Sequence, residues 1–222
     1  MSHPTTFRKK ITTGLVGGLV LLSVILLWNE FDRRIEGTWS APGEWWGKRA
    51  TLKNYGDDVS LWAEKFDLPA AYLLALIQLE SGGRKPAGKR FESHVYKRLQ
   101  AVRDGKRTRY ENIRTADLEG ASDEALHNLA TSWGPFQLMG YKCILLDLQI
   151  RDIRGKDAVQ AGVTWIDQTY GEALREGRFE DAFHMHNTGK AYPKSGPPTT
   201  FHPDYVVRGM RYMLNFTDDA SE

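Results

Sequence analysis

The chain has 222 residues, 41% hydrophobic and 26% charged, with a formal charge of +2, a balance that fits a globular domain with an appendage and excludes bulk disorder. The basic surplus sits at the front, where Arg8, Lys9, Lys10, Arg33 and Arg34 outnumber Glu30 and Asp32; the rest is nearly neutral and lacks the strongly basic composition of a nucleic-acid binder. Cys143 is the single cysteine, which excludes an intramolecular disulfide.

Residues 1–10 form a short basic N-terminus. Ile11 to Trp28 is an uncharged, mostly apolar run of 18 residues, enough as a helix at about 1.5 Å per residue to nearly cross a hydrocarbon core. The three basic residues before it predict a cytoplasmic N-terminus, an inner-membrane anchor and a body on the periplasmic side. No small-x-small cleavage site follows the run, so an anchor is favoured over a cleaved signal peptide. Its Gly and Thr content leaves it only moderately hydrophobic, compatible with release from the membrane. Residues 29–50 read as a juxtamembrane linker, in which Trp39, Trp45 and Trp46 either sit at the headgroup layer or pack on the domain.

Residues 51–222 read as one mainly helical domain. Asp57 or Asp58 caps a helix carrying Val59, Leu61, Trp62 and Phe66. A second helix runs from about Pro69 to Ser81 and stops at Gly82-Gly83. Residues 84–110 form a polar excursion, with room for a small β-hairpin within 84–115. Further helices are expected at Asp123 to Ala130, Phe136 to Leu148, Ala158 to Leu174 and Phe179 to His186. A loop over 190–202 precedes a last helix from Pro203 to about Phe216.

The chemistry begins at Glu80. It is i+7 from Leu73, i+4 from Leu76 and i+3 from Ile77, so it continues an apolar stripe. Burial and the negative end of the helix dipole both raise a carboxyl pKa there. A glutamic acid held protonated near neutral pH is what protonating a glycosidic oxygen requires. Glu80 alone is a weak signal, because glutamates in a last helical turn are mostly solvated.

Three ordered strings change that: Glu80-Ser81-Gly82-Gly83, Ser132-Trp133-Gly134-Pro135-Phe136-Gln137-Leu138-Met139-Gly140, and His186-Asn187-Thr188-Gly189. Together they resemble the lysozyme-like superfamily of soluble lytic transglycosylases and goose-type lysozymes, over roughly residues 57–216. Phe91-Glu92-Ser93-His94 and the Ser-Trp-Gly-x-Phe-Gln-x-Met-Gly string bring the resemblance closer to the phage and bacterial N-acetylmuramidase domains of endolysins. The resemblance implies a lysozyme-like helical domain that cleaves peptidoglycan strands at the β-1,4 bond between N-acetylmuramic acid and N-acetylglucosamine. It implies Glu80 as general acid, with Ser132, Gln137 and Asn187 positioning sugar groups. Met139 is core or groove floor, Trp133 is packing, and Tyr192 or Tyr205 borders the groove. Tyr205-Val206-Val207 and Tyr212 match the family's helix after Asn-x-Gly.

One departure stands out. The family carries an aromatic, usually Tyr, before the Asn of Asn-x-Gly, where it contacts the acid; this chain has His186, which in its charged form would lower the Glu80 pKa. Glu92 admits two readings. Inverting hydrolysis needs a second carboxylate about 6.5–9.5 Å from the acid to activate water, which Glu92 or Asp117 could supply. Otherwise Glu92 ion-pairs with Lys89 or Arg90, and a lytic transglycosylase needs no second carboxylate. His184, His186, His94 and His202 lack the partners of a recognisable metal set, so neither metal nor cofactor is expected. His94 and His186 are placed with the sugar cleft. A hydrolytic muramidase, a transglycosylase and a non-catalytic glycan-binding scaffold are the readings in order.

Overall fold

The structure, a computed structural model, describes residues 42–217. The expected anchor over 11–28, the N-terminus and the first part of the linker, with Trp39, lie outside the described residues. Among the described residues no helix is long and apolar enough to cross a membrane.

Five helices enclose the main core: α1 (Pro42–Phe66), α2 (Ala70–Ser81), α7 (Ala158–Arg175), α8 (Phe179–Thr188) and α9 (Tyr205–Thr217). The apolar α2 is the central one, packed between α1 and α9, and every residue from Tyr72 to Gln78 is buried. Pro69 precedes its first turn, and Gly82, in a left-handed conformation, ends it by donating its N–H to the Gln78 carbonyl. An ion pair between Glu44 and Arg211, with side chains only 12% and 10% exposed, ties the start of α1 to α9.

A second, smaller core lies under α3 (Ser93–Arg103), the hairpin β2 (Arg109–Tyr110) and β3 (Ile113–Arg114), a 3-10 turn over Thr115–Leu118, and α4 (Asp123–Leu129). Val95, Leu99 and Val102 recur at helical spacing and are buried there with Ile113, Leu118 and Leu126. A three-stranded antiparallel sheet joins the two cores: β1 (Arg90–Phe91), β4 (Thr131–Trp133) and β5 (Leu138–Met139), with Arg90 opposite Ser132 and Ser132 opposite Met139. Two short helices, α5 (Lys142–Leu146) and α6 (Ile150–Arg154), lead into α7.

The fold is mainly helical with small sheets, as expected, and the hairpin falls within 84–115. Three expectations change, and one open alternative is decided. The first helix begins at Pro42, so residues 42–50 belong to α1 and not to a linker. Gly47 does not break it: a Cβ there would meet the Gln78 side chain at 3.1 Å, so the glycine lets α1 lie close to α2, where Gln78 Nε2 donates to the Glu44 carbonyl at 3.0 Å. Trp45 and Trp46 are 56% and 63% exposed and pack edge-to-face on each other, not into the domain. The polar excursion over 84–110 contains α3, whose apolar positions are masked by six interspersed polar or basic residues. The helix expected over Phe136–Leu148 is helical only from Lys142 to Leu146; its first part is the β4–β5 turn and β5, and Gln137 sits at a positive φ of 50°.

Candidate active site

Glu80 stands at the end of α2, where the main core meets the sheet, with its side chain 18% exposed. The Tyr205 hydroxyl, at the first residue of α9, donates to Glu80 Oε1. Burial is the largest influence on this carboxyl and pushes its pKa up to about 7. The Tyr205 hydrogen bond and the cations Arg90, Arg208 and Lys142 pull the other way without overcoming it.

His186 lies behind the acid, its Nε2 3.8 Å from Glu80 Oε1, too far for a hydrogen bond. Both ring nitrogens are engaged elsewhere. The Phe136 carbonyl, 3.1 Å from Nε2, can only accept, so Nε2 carries the proton and Nδ1 accepts from the Tyr170 hydroxyl at 2.7 Å. Burial first, and then the nearby Lys142, lower its pKa to about 3. His186 is therefore neutral and does not depress the Glu80 pKa as a charged imidazole would. Its side chain is 7% exposed, so it stands behind Glu80 and offers little surface to a bound ligand. The acid-contacting hydroxyl that the resemblance places before Asn187 comes instead from Tyr205. Tyr170 itself sits where the backbone of α7 leaves helical geometry (φ −149°, ψ 19°).

Ser132 and Gln137 are brought together. The buried Ser132 hydroxyl donates to Gln137 Oε1 at 2.9 Å, and Gln137 Nε2 donates to the carbonyls of Gly88 at 2.8 Å and Gly134 at 3.0 Å. The pair thus fastens the β4–β5 turn to the loop that delivers Arg90. Met139, opposite Ser132, is partly buried against the smaller core. Trp133 is buried, and its indole N–H donates to the Asn128 carbonyl at 3.0 Å.

Glu92 precedes α3 and is 20% exposed, with Oε1 2.6 Å from Arg90 Nε and Oε2 3.5 Å from Nδ1 of the exposed His94. The ion pair with Arg90 is one of the two readings drawn from the sequence. Asp117, the other candidate second carboxylate, accepts the Arg114 backbone N–H at 2.7 Å and caps the 3-10 turn.

The loop after α8 is strapped down by His184, which is 1% exposed. Its Nδ1 lies 2.7 Å from the Lys190 carbonyl, and its Nε2 accepts the Thr199 N–H at 3.1 Å. Tyr192 packs edge-on to the His184 ring and donates its backbone N–H to Asp181 at 2.9 Å. The exposed Asn187 accepts the Phe201 N–H at 3.2 Å. The loop therefore reaches Tyr205, and through it Glu80, along a fixed path. Among the described residues no group of three or more His, Cys, Asp and Glu could hold a metal.

Several contributors escaped the sequence reading. Tyr170 and Phe136 look like ordinary core positions, and Phe136 acts through its carbonyl. Lys142 carries the one usable signal, a cation two residues past the Ser132–Gly140 string. Arg90 and Arg208 adjoin motifs but carry no spacing signal of their own.

No family model matches the chain, and no curated protein matches it. Among solved structures, the Burkholderia AP3 phage endolysin superposes with a TM-score of 0.50 at 20% identity, over 74% of this chain and 70% of that one. At that identity the likeness shows a shared fold, in keeping with the lysozyme-like architecture expected from the motifs.

Proposed function

We propose that this protein cleaves peptidoglycan glycan strands at the β-1,4 bond between N-acetylmuramic acid and N-acetylglucosamine, with Glu80 as general acid. The observation that carries the reading is a single partly buried carboxyl whose pKa lies near 7, fixed by Tyr205 and backed by a neutral histidine. Oε1 accepts from Tyr205, which leaves the acidic proton to Oε2. That proton passes to the glycosidic oxygen as the C1–O bond breaks. The carboxylate left behind keeps the Tyr205 hydrogen bond and gains the field of Arg90, Arg208 and Lys142, so the site stabilises the charge that develops on it. The endolysin fold likeness and the three ordered motifs point to the same polymer.

In the hydrolytic form, water adds to C1 and gives its proton to Glu92. In the transglycosylase form, the muramyl C6 hydroxyl adds to C1, returns a proton to Glu80 and leaves a 1,6-anhydro end. The engagement of Glu92 with Arg90 and His94, and of Asp117 with a backbone N–H, favours this second form. Mass spectrometry of digested murein separates them: reducing ends support the muramidase, anhydro ends the transglycosylase. Release of neither by the wild-type protein leaves the non-catalytic scaffold. The anchor over 11–28 and a periplasmic catalytic domain belong to the same proposal, because the polymer lies there; recovery of the full chain in the soluble fraction of its host would contradict them.

A further inference from the structure

Three cations act electrostatically on Glu80, and they are not equivalent. Arg90 is paired with Glu92 at 2.6 Å. Arg208 lies 4.0 Å from Asp204 and donates to the Tyr212 hydroxyl at 3.5 Å. Lys142, the first residue of α5, is held by its ammonium lying 4.1 Å from the centre of the Trp165 ring, and among the described residues it has no carboxylate within ion-pair distance. Glu111 and Glu80 act on it only through their field. Burial lowers its pKa to about 8, which still leaves it charged at neutral pH but poorly hydrated. A partly desolvated ammonium gains more from an incoming anion than a fully hydrated one. The ring beneath it fixes its position, so little side-chain freedom is lost on binding.

The two sugars of the proposed substrate differ in one charged feature. The muramyl residue carries a lactyl group at C3, ending in a carboxylate when free and in a peptide stem with its own carboxylates when substituted; N-acetylglucosamine is neutral. We propose that Lys142 is a substrate-selecting residue of the groove, whose ammonium, fixed on Trp165 within electrostatic reach of Glu80, binds a carboxylate on the muramyl C3 substituent and so favours muramyl glycans over a neutral N-acetylglucosamine polymer. This assignment rests on the glycan-cleavage reading above.

The test is binding by the full chain carrying Glu80→Gln, measured by calorimetry on soluble glycan oligomers. One arm uses stem-free oligomers with free lactyl carboxylates, a second the same oligomers with those carboxylates converted to neutral amides, and a third oligomers with intact stems. Neutralising the carboxylate should weaken binding about tenfold. Adding Lys142→Met should give that same loss with the free carboxylates and no further loss after neutralisation, while Lys142→Arg restores the discrimination. Discrimination that appears only with intact stems supports the proposal and places the carboxylate on the stem. Indifference of the parent both to neutralisation and to the presence of intact stems, equal losses by Lys142→Met on charged and neutral ligands, or no binding of any arm overturns it; circular dichroism of each variant separates these from unfolding. The cleavage reading fails separately, if the wild-type protein releases no glycan fragments.

Discussion

The Tyr205 hydroxyl donates to Oε1 of Glu80, joining the first residue of α9 to the last turn of α2. This one bond sets which carboxyl oxygen keeps the proton, and it opposes the burial that raises the Glu80 pKa to about 7. Activity should therefore fall about tenfold per pH unit above pH 7, where the acid is lost. Tyr205→Phe removes a lowering influence, so the alkaline limb of the profile should move to higher pH while the rate at its optimum drops. A limb that stays in place or moves downward would contradict the assignment.

The same pKa has a consequence for folding that needs no substrate. In the unfolded chain a glutamate ionises from about 4.5, whereas folded Glu80 stays protonated to about 7. The native state thus binds the extra proton, and its contribution to stability is lost as pH rises from 4.5 to 7. Glu80→Gln cannot ionise and escapes this loss. Measured by denaturant unfolding, the variant should gain on the wild type by on the order of 2–3 kcal/mol between pH 4.5 and pH 7, with no further change above. His186, lowered to about 3, works in the opposite direction: it adds stability above pH 6.5 that fades as pH falls toward 3. It does so in both proteins and cancels in the difference.

His184 fixes the loop between α8 and α9 through the Lys190 carbonyl and the Thr199 N–H. His184→Ala orphans both groups and leaves a cavity at a buried site. It should cost about 2–4 kcal/mol and speed hydrogen exchange across 190–202 before the helices exchange. Unchanged protection in that loop would show that other contacts hold it.

The close approach of α9 to α8 depends on Gly209, one turn beyond Tyr205. A Cβ there would meet the buried Phe183 ring at 2.6 Å. Gly209→Ala gains about 1 kcal/mol of helix propensity but forces overpacking worth about 1–3 kcal/mol. We expect a net loss of stability on the order of 1 kcal/mol and a fall in activity as Tyr205 shifts from Glu80. Both are read from unfolding curves and turnover of the one variant.

Much of this site is legible in the chain, for reasons that differ between residues. Glu80, Gly82 and the helix carrying them follow from local rules of stripe and stop. The stripe itself is less informative than it looks, because α2 is buried on nearly all sides and apolar spacing does not single out one face. The start of α1 is not legible locally, because residues 42–50 follow directly on the apolar run and its linker, and Gly47 marks a close approach to Gln78, a residue far away in sequence. Phe136 to Met139 carry helix-compatible residues, yet they turn and pair as strand because Ser132 and Gln137 bond across the turn. The role of His186 depends on Tyr170 and a backbone carbonyl from another element, and no local pattern encodes that. Sequence placed the histidine near the acid; only the hydrogen bonds around it make it neutral and turn it into a support.

The central claim is that the Glu80 proton drives cleavage of the glycan. Release of soluble fragments from purified murein by the wild-type full chain and by Glu80→Gln, at pH 6 and with folding of both verified, tests it most directly. A loss of about 10²–10⁴-fold or more in the variant is the predicted result. Release by Glu80→Gln within a few-fold of the wild type would contradict it.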